Sequence, residues 1–146
     1  MSVLALDYGR VRVGLAVCDP EGLSVRGLPT IHRRHVPDLC DAVARIAREQ
    51  GARRIVMGLP LGADEGETAM SREVREFAGR LRDGLGLPVD FVEESFTSVA
   101  AQQLLRSRRR KERQRKENVD RLAACLLLEA YLRERRGPSP AAPGST

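Results

Sequence analysis

Tryptophan is absent from this 146-residue sequence, and aromatic residues make up only 3% of it. So few rings exclude base stacking as the main source of affinity for a polynucleotide. Histidine occurs twice, at His32 and His35, with Arg33-Arg34 between them and Pro37 close behind. That context predicts a loop, and two imidazoles without a third ligand make no metal site. The three cysteines, Cys18, Cys40 and Cys125, are odd in number, widely spaced and set in apolar surroundings. They predict reduced, buried thiols, not a disulfide framework or a zinc cluster. No apolar run approaches membrane-spanning length, and no charged n-region precedes an apolar h-region at the N-terminus. The expectation is a cytoplasmic protein without a membrane partner.

Hydrophobic residues at 42% and charged residues at 31% describe an ordinary globular chain. Its length suits one domain over residues 1–136, followed by a disordered Pro/Ser/Gly/Ala-rich tail over 137–146. The net charge of +5 is concentrated. Arg106 to Glu117 holds eight basic and two acidic residues, which leaves the remainder of the chain slightly acidic. A basic segment of this kind suits a polyanion.

Val3-Leu4-Ala5-Leu6 reads as a buried, central strand ending at Asp7, and Val13 to Val17 as its hairpin partner across the Gly9 turn. The stretch Leu23–Arg33 supplies a third antiparallel strand. Pro37-Asp38 opens a helix, with Pro in the first turn, whose apolar face is Leu39, Ala42, Val43, Ile46 and Ala47; Gly51 is its cap. Arg54–Gly58 is a fourth strand. A second helix runs from about Thr68 to Leu85, ended by Gly84 and Gly86, and Val89–Glu93 is a fifth strand. Thr97 caps a short helix through Leu105. The basic segment then links it to a last helix over about Val119–Arg135, with Leu122, Ala123, Leu126, Leu127, Ala130 and Tyr131 apolar and Asp120 in its first turn. This order predicts an α/β fold, a mixed five-stranded sheet with helices on both faces.

Three carboxylates stand at ends of elements: Asp7, Glu94 and Asp120. Sites in α/β sheets gather beyond the carboxyl ends of strands. Acids held together there repel unless neutralised, and an all-oxygen set favours Mg²⁺ or Mn²⁺ over zinc. Each acid also has a plainer explanation: a turn cap for Asp7, helix-dipole complementarity for Asp120, a solvated loop charge for Glu94. Arg108, Arg109, Arg110, Lys111, Arg113, Arg115 and Lys116 would be a solvated run in most proteins, but here they deliver the chain to Asp120. Cations that hold a polyanion beside metal-binding acids suit phosphodiester hydrolysis. The Gly9 turn after Asp7 reads as room for a metal and a phosphate, with Arg10 or Arg12 as a backbone contact.

Four ordered motifs add a resemblance. Asp7-Tyr8-Gly9, then Arg12-Val13-Gly14-Leu15-Ala16-Val17 and Asp19-Pro20, resemble the opening of the YqgF family, Holliday-junction-resolvase-like nucleases also described as pre-16S rRNA nucleases. Val56-Met57-Gly58-Leu59-Pro60-Leu61, Glu93-Glu94-Ser95-Phe96-Thr97-Ser98 and Lys116-x-x-Val119-Asp120-x-x-Ala123-Ala124 are similar to its later motifs. The resemblance implies an RNase H-like fold and a metal-dependent nuclease with catalytic, metal-binding acids at Asp7, Glu94 and Asp120. Its substrate would be structured RNA of the small-subunit precursor or a branched DNA junction, acted on by a monomer or a homodimer. Five positions depart from the pattern. Glu93 stands for an Asp, Ser95 for an Arg, Val11 for a common Lys, and Gly62-Ala63 for Asn-Met; these bear on substrate grip more than on metal binding. The competing reading is a nucleic-acid-binding module without catalysis.

Overall fold

The computed structural model describes residues 2–22, 24–60, 68–93 and 112–136. The expected short helix Thr97–Leu105, Glu94, Arg108 to Lys111, the Gly62-Ala63 loop and the tail over 137–146 lie outside them. The described elements are β1 (Val3–Asp7), β2 (Arg12–Cys18), β3 (Val25–His32), α1 (Leu39–Gln50), β4 (Arg54–Leu59), α2 (Ala69–Leu85), β5 (Val89–Glu93) and α3 (Glu112–Arg136). A 3-10 turn at Arg33–His35 follows β3.

The sheet order is β3-β2-β1-β4-β5. β1 is central, which explains its unbroken apolar run: both of its faces are covered. β1 to β3 are antiparallel neighbours, whereas β4 and β5 run parallel to β1. The sheet is therefore mixed, and the ends of β1, β4 and β5 share one edge. β3 is an edge strand in which only Leu28 and Ile31 are buried. Its pairing jumps from Val13↔Ile31 to Leu15↔Leu28, which leaves an extra residue around Pro29-Thr30. An edge bulge is where a strand tolerates proline.

The two faces differ in texture. Leu4, Leu6, Val13 and Leu15 project toward α1 and α2 and pack with Val43, Phe77 and Leu81. Val3, Ala5, Ala16 and Val56 project the other way and meet Ala124, Leu127, Leu128 and Tyr131 of α3. Small residues on this second face bring α3 close to the sheet.

The helix ends follow local chemistry. Asp38 caps α1 by accepting from the Asp41 N–H at 3.1 Å, and Gly51 closes it at φ 68°. Pro37 thus precedes the cap instead of occupying the first turn, because Asp38 takes the capping position. Thr68 and Ser71 form a reciprocal capping box on α2, with bonds of 3.0 and 2.7 Å. Each such cap stabilises by about 1 kcal/mol. Gly84 lies inside α2, and Gly86, at φ 71°, ends it.

α3 starts at Glu112, seven residues before the expected Val119. The Glu-Arg-Gln-Arg-Lys-Glu stretch consists of good helix formers, so the helix runs back into the basic segment. Arg113, Arg115 and Lys116 therefore belong to its first turns and not to a linking loop; their side chains lie outside the described set. The buried face is Ala123, Ala124, Leu127, Leu128 and Tyr131, whereas Leu122, Leu126 and Ala130 are only partly buried. The helix is apolar nearly all round at this point, and the close approach of Ala124 to the sheet decides which side turns inward.

Gly79 provides a local check on helix energetics. It lies within α2, and a Cβ built there meets nothing nearer than an Arg82 Nη2 at 3.8 Å. Gly79→Ala is expected to stabilise the fold by about 0.5–1 kcal/mol, measured by urea denaturation, because it removes backbone entropy without a clash.

Candidate functional site

Asp7 is the last residue of β1 and shares the face of Val3 and Ala5, the side covered by α3. Its antiparallel partner across the sheet is Gly14 of β2. A Cβ built on Gly14 would lie 2.1 Å from the carbonyl oxygen of Asp120 and 3.2 Å from its Cα. The α3 backbone therefore rests on Gly14, one strand from Asp7. Two residues along β2 on the same face, Arg12 donates from Nε to Asp120 Oδ2 at 2.7 Å. Both side chains of this pair are largely covered, 27% exposed for Arg12 and 18% for Asp120. The first strand and the last helix thus bring two of the three expected acids together.

Asp120 is the ninth residue of α3, not a first-turn residue. Complementing the helix dipole acts only within the first turn, so that plainer explanation of Asp120 fails. Glu94, the third acid, follows Glu93 at the end of β5 and lies outside the described residues. β5 does end at the same sheet edge as β1. Among the described residues no three His, Cys, Asp or Glu side chains are gathered.

The glycines have a different use from the one expected. A Cβ on Gly9 would stand 2.4 Å from the Arg12 carbonyl oxygen. Gly9 accommodates the chain's own turn and Gly14 accommodates α3, so neither leaves room for a metal or a phosphate. Gly27 on β3 extends the pattern: its missing side chain is replaced by the Arg121 stem, with Cγ 2.2 Å from a built Cβ. Gly14 and Gly27 together set the depth at which α3 lies.

A second polar cluster, without any local signature in residue order, occupies the opposite face at the same edge. The Tyr8 hydroxyl donates to Glu73 Oε2 at 2.7 Å, and Arg10 Nε donates to Glu73 Oε1 at 3.1 Å. Arg33 Nη1 donates to the Gly9 carbonyl at 3.0 Å and to the Tyr8 oxygen at 3.3 Å, with its guanidinium 5.2 Å from the Tyr8 ring centre. This network ties the turn after Asp7 to α2 and to the 3-10 turn. Glu73 is missed by sequence reasoning because nothing in α2's pattern distinguishes it from other surface acids. Tyr8 hydrogen bonding holds the Glu73 carboxyl below the usual range, with Arg10 helping.

At the far end of the sheet, Asp90 Oδ2 accepts from Arg54 Nη1 at 2.9 Å and from the Tyr131 hydroxyl. This bond fastens α3 to β4 and β5. Burial pushes the Tyr131 hydroxyl up, reinforced by its bond to Asp90; Tyr8 is raised by burial and by Glu73. A folded-state value above the unfolded one means that stability is fully present below pH 10 and is lost as pH rises through the folded values. Thermal melts are therefore expected to fall above about pH 10, with a smaller fall in Tyr131→Phe.

His32 and His35 stand with ring centres 5.7 Å apart; the expected loop is instead the last residue of β3 at His32 and a 3-10 turn at His35. None of the three cysteines is in a disulfide; Cys18 is buried and Cys40 and Cys125 are partly covered. Among the described residues no helix is long and apolar enough to cross a membrane.

Known proteins share this arrangement of elements. A Thermus thermophilus RuvC solved in complex with a Holliday junction substrate superposes with a TM-score of 0.59 at 17% identity, over 94% of this chain and 97% of that one. A fowlpox virus Holliday junction resolvase gives 0.56 at 12% identity, over 90% and 98%. These likenesses establish an RNase H-like fold. Sequence relatives are nearer. A protein of Koribacter versatilis (strain Ellin345) is 42% identical over 92% of this chain and 88% of the relative, and one of Thermosynechococcus vestitus is 38% identical over 90% and 87%. Both carry the name "Putative pre-16S rRNA nuclease". The family described as "RuvX: Holliday junction resolvase" matches residues 1–134. With the whole described sheet and all but the last two residues of α3 inside that match, the chain belongs to the RuvX (YqgF) family, whose members are named nucleases.

Proposed function

We propose that the chain is a divalent-metal-dependent nuclease that hydrolyses phosphodiester bonds during maturation of pre-16S ribosomal RNA. The observation that carries the reading is the placement of Asp120 against Gly14, the cross-strand neighbour of Asp7, on one face at the carboxyl edge of the sheet. The donor chemistry fits Mg²⁺ or Mn²⁺: carboxylate oxygens, without His or Cys, one of which already holds a cationic partner. Asp7, Asp120 and Glu94 would hold the metal. When bound, the ion supplies an activated water and neutralises the charge that develops at phosphorus. The chain's own residues do the rest. β1 and α3 fix the two acids, while Arg10, Arg12 and the basic residues Arg108, Arg109, Arg110, Lys111, Arg113, Arg115 and Lys116 hold the phosphate backbone. The names of the curated relatives support ribosomal RNA as substrate and a cytoplasmic location.

The family description supports a second reading, resolution of branched DNA. Junction resolution requires two symmetric cuts and hence a homodimer; trimming an RNA end is possible for a monomer. The test is a cleavage assay on ribosomal precursor RNA, single strands and four-way junctions with Mg²⁺ and Mn²⁺, comparing wild type with Asp120→Asn. The expected result is metal-dependent cleavage of the precursor by wild type alone. Equal cutting by the variant sinks the metal site. Binding without cleavage under every condition leaves a non-catalytic module.

A further inference from the structure

Asp120 already has a cation, and the chain supplies it. Arg12 stands on the α3 face of β2, in line with Gly14 and Ala16, and its Nε bonds Asp120 Oδ2 at 2.7 Å. The carboxylate is 18% exposed and Asp7 lies one strand away, so without a positive charge the two acids would repel in a poorly solvated place. Arg12 relieves that repulsion in the metal-free protein. It also begins β2, directly beside the 65% exposed Val11, so its long side chain has solvent on one side.

We propose that Arg12 is the resident counter-cation of Asp120, that it competes with the divalent ion for this carboxylate, and that the guanidinium displaced by the ion becomes a phosphate contact. The inference rests on the assignment of Asp7 and Asp120 to the metal. A guanidinium and a divalent ion on one carboxylate repel each other, and the doubly charged ion is the stronger partner for two adjacent acids. Metal loading then frees an arginine for the polyanion, and by linkage a bound polyanion that holds Arg12 away tightens metal binding by the same factor. The apo protein would grip nucleic acid less well than the loaded one for this reason alone.

The test uses Mn²⁺ alone, titrated calorimetrically into wild type, Arg12→Gln, Arg12→Lys and Asp7→Asn, with melts to confirm that each is folded. Arg12→Gln is expected to bind Mn²⁺ about five- to tenfold tighter than wild type, a coupling of ordinary size. Arg12→Lys, which retains the charge, stays close to wild type. In a companion NMR titration with diamagnetic Mg²⁺, the Arg12 Nε–H resonance of wild type moves as the site fills. If wild type binds Mn²⁺, Asp7→Asn does not, and Arg12→Gln binds equally or more weakly, the Arg12 proposal is overturned while the metal site stands. If wild type binds no Mn²⁺, the nuclease reading itself fails. Should Arg12→Gln not fold, an Nε–H resonance unmoved at saturating Mg²⁺ overturns the proposal by itself.

Discussion

Asp7→Asn is expected to give a folded protein that has lost metal-dependent cleavage by a factor on the order of 10³ or more, equivalent to about 4 kcal/mol of transition-state stabilisation. The substitution conserves shape and volume at the end of β1, so the packing of Val3 and Ala5 on the same face is undisturbed. What disappears is a negative charge on the face that also carries Asp120. An amide oxygen is a neutral and weaker partner for a hard cation. Without metal, that same loss removes a repulsion, so the apo variant should melt at or slightly above the wild-type temperature. The combination of unchanged or raised melting temperature with lost cleavage separates a chemical role from a structural one. Cleavage within tenfold of wild type would remove Asp7 from the site.

The second large effect belongs to Gly14→Ala. A β-carbon there would overlap the Asp120 carbonyl oxygen at 2.1 Å and its carbonyl carbon at 2.6 Å, both backbone atoms that cannot rotate away. The clash can be relieved only by moving α3 off the sheet or by bending β2. Overpacking of this kind costs about 1–3 kcal/mol, and a melting temperature lower by roughly 5–10 °C follows for a domain of this size. Activity should fall further than stability. A displacement of about 1 Å at a positioned group can cost about 10²-fold in rate, and here the displaced group is Asp120 itself. The readouts are thermal denaturation and cleavage by the fraction still folded. Wild-type values for both would mean that α3 does not rest on Gly14. Gly79→Ala in α2, where the added methyl meets open space, is the matched control.

Much of this arrangement was readable from residue order. β1 was recognisable as central because an uninterrupted apolar run needs cover on both faces, and the βββ start followed from short turns between strands. Asp7 is marked by its motif and its place at the end of β1, whereas Asp120 is marked by its motif alone, since it lies within α3 and not at its head; the fold sets Asp120 against Gly14, the cross-strand neighbour of Asp7. Other features were hidden for physical reasons. α3 starts before its apolar pattern does because Glu, Arg, Gln and Lys, which also compose solvated loops, are good helix formers. The inward face of α3 was only partly identified, since a helix with leucine and alanine on nearly every side carries little periodic signal. The Gly9 turn, expected to leave space for a ligand, is closed by the chain's own backbone, because glycine reports only that something approaches closely. The partners Arg12–Asp120 and Arg10–Glu73 are 108 and 63 residues apart in sequence, a separation at which no local pattern operates.

The division of the site between β1 and α3 also sets when it can exist. Domains form largely from the N-terminus as the chain is synthesised. A nascent chain that has emerged through β5 can pair its five strands and cover one face with α1 and α2. Its other face, with Val3, Ala5, Ala16, Cys18 and Val56, stays bare until α3 follows. Until then Asp7 stands without Asp120, and the sheet presents an apolar surface to the crowded vicinity of the ribosome. On the proposed function, this order of assembly leaves the unfinished chain without its paired acids, and so without cleavage, until α3 has docked.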